Sequence, residues 1–159
     1  LSLRRQRQMC IRDSINTPSM LCVEDYIDAL LWAQSVGGLD GLIARADANT
    51  ACLNELVASH DGIDFLATDP VTRSNTSVCL IFTDPVVKAL SADQQAAFAK
   101  SVASLLEKEG VAFDIGAYRD APAGLRIWCG ATVEKSDVAL LAQWIVWAVA
   151  EAKAGLKAA

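Results

Sequence analysis

The stretch that decides the fold is SVCLIFTDPVVKALSADQ, residues 77–94, because a strand, a turn and a helix start follow one another in it. Residues 77–82 form a compact apolar run that is typical of a buried strand, and the Asp-Pro pair at residues 84–85 ends it. The SADQ string at residues 91–94 has the spacing of a capping box, in which Ser and Gln side chains bind each other's backbone N–H groups. The stretch therefore predicts a strand followed by a helix.

Apolar spacing extends this pattern in both directions and predicts an α+β domain. The expected elements, in chain order, are a helix that stops at Gly37-Gly38, a helix at about residues 39–59, strands around residues 63–65 and at 77–82, a helix from Ser91 to Gly110, strands at residues 111–116 and 125–129, and a final helix capped by Ser136. Such an order favours two layers, in which a short, mostly antiparallel sheet carries helices on one face.

The composition is that of a globular domain with a sizeable core. Of the 159 residues, 53% are hydrophobic and 21% are charged, and the net charge of -5 offers nothing that attracts nucleic acid or anionic lipid. The most apolar segment, residues 138–149, is interrupted by Gln143 and is shorter than the roughly 20 residues that cross a bilayer. We therefore expect a cytoplasmic protein with no nucleic-acid partner and no membrane span.

The cysteines and the single histidine give no metal or catalytic motif. The five cysteines are far apart in sequence and form no CxxC pair, which favours buried thiols in a reducing compartment over a metal site. His60 stands at a predicted helix end, where an imidazole commonly caps the helix, so we assign it no catalytic role.

Residues 1–14, LSLRRQRQMCIRDS, differ in charge from the remainder. They hold four arginines and one aspartate, whereas the later residues hold ten basic and eighteen acidic side chains. No apolar segment of a secretory signal follows the arginines. The string MCIRDS at residues 9–14 resembles translated sequencing-adapter read-through. We therefore expect residues 1–14 to be non-native and residues 15–159 to form the domain, with a basic targeting arm as the alternative.

Two constellations suit an anion. Asn16 and Thr17 precede a predicted helix, where an amide, a hydroxyl and free backbone N–H groups can hold a phosphate ester, although an ordinary helix cap has the same pattern. Tyr118, Arg119 and Arg126 flank a turn with Pro and Gly, and two guanidinium groups there could bind a doubly anionic metabolite. The alternative is a pair of exposed ion pairs, with Arg126 at a strand edge. A further arginine, at position 73, is expected to be structural.

Several long strings together resemble the C-terminal part of the phosphoserine aminotransferases, in the branch found in alphaproteobacteria and methanogenic archaea. The strings are INTPSMLCVEDYIDAL at residues 15–30, GGLDGLIARADAN at 37–49, DPVTRSNTSVCL at 69–80 and DIGAYRDAPAGLRIWCGATVE at 114–134. The resemblance implies a fold-type I, pyridoxal-phosphate-dependent homodimer that moves an amino group between glutamate and 3-phosphohydroxypyruvate, with 2-oxoglutarate and phosphoserine as products.

The resemblance also implies roles for the two constellations. Asn16 and Thr17, in the family's NTP motif, would reach the cofactor phosphate of the other subunit. Arg119 would hold the substrate phosphate and Arg126 its carboxylate. Many relatives have His where this sequence has Tyr118, and a phenol donates a hydrogen bond without a positive charge, so the resemblance leaves a phosphate role for Tyr118 open.

The family's cofactor-binding lysine belongs to a large domain upstream of the NTP motif. The six lysines of this sequence stand in polar, surface-like contexts, so we assign no catalytic residue and expect the chain alone to be inactive. An aminotransferase of the alanine–glyoxylate type and a stand-alone α+β module that binds a small anion are the alternatives. Exposed apolar surface, to which tryptophans could contribute, would favour the aminotransferase over the stand-alone module. For each tryptophan, however, we expect a place in the core.

Overall fold

The computed structural model describes residues 19–158. The helices are α1 (Met20–Ser35), α2 (Gly38–Ser59), α3 (Pro85–Lys88), α4 (Ala92–Lys108) and α5 (Lys135–Ala158). The strands are β1 (Ile63–Phe65), β2 (Ser77–Phe82) and β3 (Gly124–Trp128). A 3-10 turn spans Pro70–Thr72. Contacts divide the chain into two units, Leu1–Gly41 and Leu42–Ala159. The predicted α+β class is confirmed.

The first unit contains an apolar helix with no buried residue. Ser19 is the N-cap of α1, since its side chain accepts a hydrogen bond from the backbone N–H of Cys22 at 3.5 Å. The predicted end at the glycine pair is confirmed, because Gly37 and Gly38 have φ angles of 102° and 65°, which a side chain disfavours. None of the residues of α1 is buried, although most of its large side chains are apolar. Asn16 and Thr17 lie outside the described residues.

The sheet of the second unit is antiparallel throughout, in the order β1-β2-β3. Because side chains alternate along a strand, Val78, Leu80 and Phe82 of β2 are buried on one face. Their neighbours across the ladder are buried as well, and these are Ile63, Phe65, Leu125 and Ile127. The opposite face carries the residues between them, which include Arg126 and Trp128.

Helices α2, α4 and α5 pack against the apolar face, as predicted for a two-layer domain. The capping box of α4 is formed by Ser91 and Gln94, whose side chains each accept from the other residue's backbone N–H. From α4, Phe98 meets Phe82 edge to face, with ring centroids 5.1 Å apart. The same core takes in side chains from three helices, namely Leu53, Leu56, Val102, Leu106, Val138, Ile145 and Ala148.

The predicted strand at residues 111–116 is wrong. Asp114 has a φ of 53°, which is left-handed and breaks an extended run. Only a single bridge, between Gly116 and Leu125, links this segment to β3. The segment therefore turns back along the outer edge of β3 instead of forming a fourth strand. The predicted cap at Ser136 is also wrong, because α5 begins at Lys135 and Ser136 lies within its first turn.

One helix of the described part of the chain, over residues 135–156, is long and apolar enough to cross a membrane by length and composition. This helix is longer than the apolar segment at residues 138–149 that was expected from the sequence. In the structure Val138, Ile145 and Ala148 of this helix are buried in the domain core. A core helix passes the same test of length and composition, so the feature is no indication of a membrane.

A buried amide joins the helix layer to the end of the sheet. Asn49 of α2 is 1% exposed, and its Nδ2 donates to the carbonyl oxygens of Cys129, Gly130 and Val133 at 3.2, 3.2 and 2.9 Å. One turn earlier, Arg45 donates from Nε to the carbonyl of Ala131 at 2.7 Å. These bonds hold the connection between β3 and α5 against α2.

An ion pair joins the short helix α3 to α5. Asp84 caps α3 by accepting from the backbone N–H of Val86 at 2.9 Å, and its other carboxylate oxygen accepts from the ammonium of Lys153. The hydrogen bond from Lys153 lowers the pKa of Asp84 from its usual value, while partial burial opposes the change.

We predict that Asp84→Asn removes a pH-dependent part of the stability. The lowered pKa of Asp84 stabilises the folded chain above the unfolded carboxyl pKa of about 3.9, and this is lost as the pH falls through the folded value. Asn keeps the helix cap but loses the charge, so the deficit should be about 1–2 kcal/mol near pH 7 and shrink toward pH 3. Urea unfolding across this range measures it. A deficit that stays constant with pH contradicts the assignment.

A second prediction concerns Asn49→Ala, which removes the donor shared by three carbonyl groups. We expect a loss of about 2–3 kcal/mol in the free energy of unfolding, because buried carbonyls lose their partner. Asn54→Ala is the matched control, since Asn54 is exposed on the same helix and its truncation should cost less than about 0.5 kcal/mol. Equal losses for the two variants in urea unfolding would show that Asn49 does not hold the β3–α5 connection.

Candidate functional site

The candidate site is built around Arg126, in the middle of the edge strand β3. Its neighbours Leu125 and Ile127 point into the core, so alternation places Arg126 on the opposite face of the sheet. Its backbone N–H donates to the carbonyl of Ile115 at 2.8 Å, which ties β3 to the segment that follows Gly110. The guanidinium group is therefore attached to a paired strand, and its side chain is 22% exposed.

The segment beside β3 supplies the partner of Arg126. Nη2 of Arg126 lies 3.2 Å from Oδ2 of Asp114 and 3.3 Å from the carbonyl oxygen of the same residue. The carboxylate of Asp114 is 93% exposed, whereas Nε of Arg126 is buried and has no hydrogen-bond partner among residues 19–158. The strand-edge ion pair considered as the alternative for Arg126 is therefore present. Asp114 was not among the residues predicted from the sequence. The one feature that could have indicated it is a negative charge in the same region as Arg126.

Tyr118 lies against the same guanidinium group. The Cζ atom of Arg126 is 4.4 Å from the centroid of the Tyr118 ring, within the range of a cation–π contact. The phenol is exposed at the surface of the loop. Two of the three predicted substrate-binding residues of this loop, Tyr118 and Arg126, are therefore in direct contact.

Arg119 lies in a groove between the loop and α4, and the two residues in contact with Arg126, Asp114 and Tyr118, line the same groove. The groove has a volume of about 420 Å³, and both Tyr118 and Arg119 line it. From α4, Lys100, Ser104 and Glu107 line the opposite side. Arg126 does not itself line this groove, but its partners Asp114 and Tyr118 do, so the two arginines occupy adjoining positions. Lys100 is a further basic group at the groove that the sequence analysis missed, since only the helical register brings it there.

The remaining candidates have structural surroundings. Arg73 donates from Nε to the carbonyl of Ala67 at 2.8 Å and lies 4.2 Å from the ring centroid of Phe65, which agrees with its predicted structural role. Nδ1 of His60 lies 2.9 Å from Oγ of Ser59 and 3.2 Å from the carbonyl oxygen of a residue one turn back. As predicted, His60 stands at the end of α2.

The thiols are only partly buried, which corrects one expectation. Cys52 and Cys129 are buried, and burial raises the pKa of Cys129 to about 11, so its thiol stays protonated at neutral pH. Cys22 is exposed and Cys79 is half-buried. Cys10 lies outside the described residues. Among the described residues no group of three or more His, Cys, Asp or Glu side chains could hold a metal ion.

Trp128 is at the surface, contrary to the core role expected for it. Its side chain is 56% exposed, on the same face of β3 as Arg126, and its Nε1 donates to Oγ1 of Thr132 at 3.3 Å. A Cβ on Gly130 would stand 2.4 Å from the indole, so the absence of a side chain there allows the ring to lie over the backbone. Trp32 is also exposed, whereas Trp147 packs against the core.

The fold is shared with solved aminotransferases. A phosphoserine aminotransferase from Bacillus circulans subsp. alkalophilus superposes with a TM-score of 0.71 at 18% identity, over 86% of this chain and 34% of that chain. A structure described as radiation damage of the Schiff base in phosphoserine aminotransferase gives 0.70 at 13% identity, over 86% and 35%. The described residues therefore have the α+β fold of the C-terminal part of an aminotransferase.

Sequence similarity points to one kind of aminotransferase. The chain is 51% identical over 135 residues to a phosphoserine aminotransferase from Methanosarcina barkeri and 49% identical over 135 residues to one from Methanosarcina mazei. Each match covers 85% of this chain and 34% of the relative, so the chain spans about a third of the curated relatives' length. No protein-family model matches the chain. The predicted resemblance to the phosphoserine aminotransferases is confirmed for this part of their sequence.

Proposed function

We propose that residues 15–159 form the C-terminal third of a pyridoxal-phosphate-dependent phosphoserine aminotransferase that works in serine biosynthesis in the cytoplasm. The reaction transfers an amino group from glutamate to 3-phosphohydroxypyruvate and yields 2-oxoglutarate and phosphoserine. The observation that carries the proposal is 51% identity over 135 residues to a relative of that name. The fold match to the C-terminal part of such enzymes supports it.

Within the proposal, the two arginines bind different parts of the substrate. Every amino-acid and keto-acid substrate carries a carboxylate next to the reacting carbon, and Arg126 presents a guanidinium group of fixed position to it. Only phosphoserine and its keto acid carry a phosphate, which suits Arg119 on the exposed loop with Lys100 across the groove. Tyr118 contacts Arg126 and lines the groove of Arg119, so it joins the two subsites.

The cofactor phosphate is assigned to Asn16 and Thr17, which precede the described residues. An amide and a hydroxyl are hydrogen-bond donors that suit a phosphate dianion, so the donor set fits the group. When bound, the cofactor supplies the electron sink for proton removal from the substrate carbon. The contribution of these two residues is to hold the phosphate, and in a homodimer they would do so for the partner subunit.

The apolar surface of α1 favours this proposal over a stand-alone anion-binding module. Its exposed large side chains are Met20, Leu21, Val23, Tyr26, Ile27, Leu30, Leu31 and Trp32. Contiguous exposed apolar surface on this scale is typical of a segment that further protein covers. A helix within a larger dimeric enzyme meets this condition.

The substrate assignment predicts a split in Michaelis constants. The test protein is a chimera in which residues 15–159 replace the matching third of the Methanosarcina barkeri enzyme. Arg119→Ala should raise KM for phosphoserine roughly 10- to 100-fold, because it removes hydrogen bonds between charged groups. KM for glutamate should stay within about 2-fold, because glutamate carries no phosphate. Arg126→Ala should raise both. Lys108→Ala, a charge removal outside the groove, is the control. Equal effects of Arg119→Ala on both substrates would contradict the phosphate role.

The cofactor assignment predicts weaker retention of pyridoxal phosphate. Asn16→Ala and Thr17→Ala in the chimera should each raise the dissociation constant of the cofactor about 10-fold, because each removes a hydrogen bond to a charged phosphate. Absorbance of the retained cofactor after dialysis measures this. Ser19→Ala removes only the helix cap and is the control. Retention equal to that of the control would remove both residues from the site.

Co-expression tests the cross-subunit arrangement. One subunit carries Asn16→Ala, and the other lacks the cofactor-binding lysine of the large domain. If Asn16 serves the partner, each mixed dimer contains one intact site and activity returns. Mixed dimers without activity above that of the single variants would place Asn16 in its own subunit's site.

A further inference from the structure

The ion pair between Arg126 and Asp114 uses only part of the guanidinium group. Asp114 reaches Nη2 of Arg126 with one carboxylate oxygen and with its carbonyl oxygen, while Nε of Arg126 has no acceptor. A planar guanidinium binds a carboxylate best when two donors meet two oxygens, and this pair uses only one donor. The guanidinium is therefore engaged without being fully satisfied.

The carboxylate of Asp114 is free to leave. It is 93% exposed, and no other hydrogen bond or ion pair to it is present among the described residues. An exposed pair of this kind is weak and is screened by salt. The backbone around it is fixed, because Ile115 accepts from the N–H of Arg126 and Gly116 bridges to Leu125. Departure of the carboxylate thus needs a side-chain rotation and no movement of the strand.

We propose that Asp114 is a built-in competitor for the carboxylate subsite: its side chain occupies Arg126 when no substrate is bound, and the substrate carboxylate displaces it. This inference rests on the proposed function, in which Arg126 binds that carboxylate. A substrate carboxylate that takes Nη2 must displace Asp114. Asp114 thereby lowers the affinity for every carboxylate substrate.

The test is Asp114→Asn in the chimera with the Methanosarcina barkeri enzyme. Asparagine tolerates the left-handed backbone at this position, with its φ of 53°, about as well as aspartate, so the substitution removes charge with little strain. KM should fall roughly 2- to 5-fold for phosphoserine and for glutamate alike, the range measured for exposed ion pairs. The advantage should disappear in about 0.5 M salt, where exposed charges are screened.

Asp120→Asn is the matched control, because it removes the same charge from the same loop with no ion pair to Arg126. It should leave both KM values within about 1.5-fold, as expected of an exposed substitution. Isothermal titration with phosphoserine gives the same comparison if turnover by the chimera is too slow to measure. A KM that is unchanged or raised by Asp114→Asn, or lowered equally by Asp120→Asn, overturns the proposal.

Arg126→Ala separates this proposal from the one it rests on. If Arg126→Ala raises both KM values while Asp114→Asn changes neither, Arg126 binds the carboxylate and only the competitor is refuted. If Arg126→Ala changes neither KM value, both the carboxylate role of Arg126 and the competitor role of Asp114 are refuted.

Discussion

The side-chain amide of Asn49 is the interaction on which the placement of the site depends. The connection from β3 to α5 runs against α2, and three of its carbonyl oxygens converge on one Nδ2 group. Two N–H bonds serve three acceptors, so all three carbonyls must lie close to one amide nitrogen. Because buried polar groups are costly when unpaired, this arrangement fixes the C-terminal end of β3 against the helix layer. The strand that carries Arg126 is thereby anchored at one end.

A close approach of backbone to backbone anchors the other end. A Cβ on Gly124 would stand 2.0 Å from the carbonyl oxygen of Leu80, so β3 pairs with β2 in this register only if residue 124 has no side chain. A shift by one residue would turn every side chain of the strand to the opposite face. The register therefore decides that Leu125 enters the core while Arg126 faces outward beside Asp114. The position of Arg126 therefore depends on a glycine two residues earlier in the strand.

The sequence predicted most of the fold because the main signals are local. The apolar run at residues 77–82 and the capping box that begins at Ser91 each need only neighbouring residues, and the strand and the cap are both found as predicted. The prediction at residues 111–116 was wrong because a mostly apolar segment indicates a strand, whereas the left-handed backbone of Asp114 interrupts an extended run. The pairing of Arg126 with a residue 12 positions earlier follows from that interruption. The loop was recognisable from its charges, but its contacts were not.

The difference between the two arginines has a physical reason within the proposed function. Arg126 is attached to a paired strand, and its side chain is already restricted by Asp114 and the ring of Tyr118, so binding a carboxylate costs little further rotamer entropy. Arg119 is on an exposed loop and must lose more freedom when it binds. A fixed group suits the part that all substrates share, and an adaptable one suits the part that distinguishes them. Because an exposed competitor weakens every carboxylate equally, discrimination between substrates then rests with the groove that Arg119 and Lys100 line.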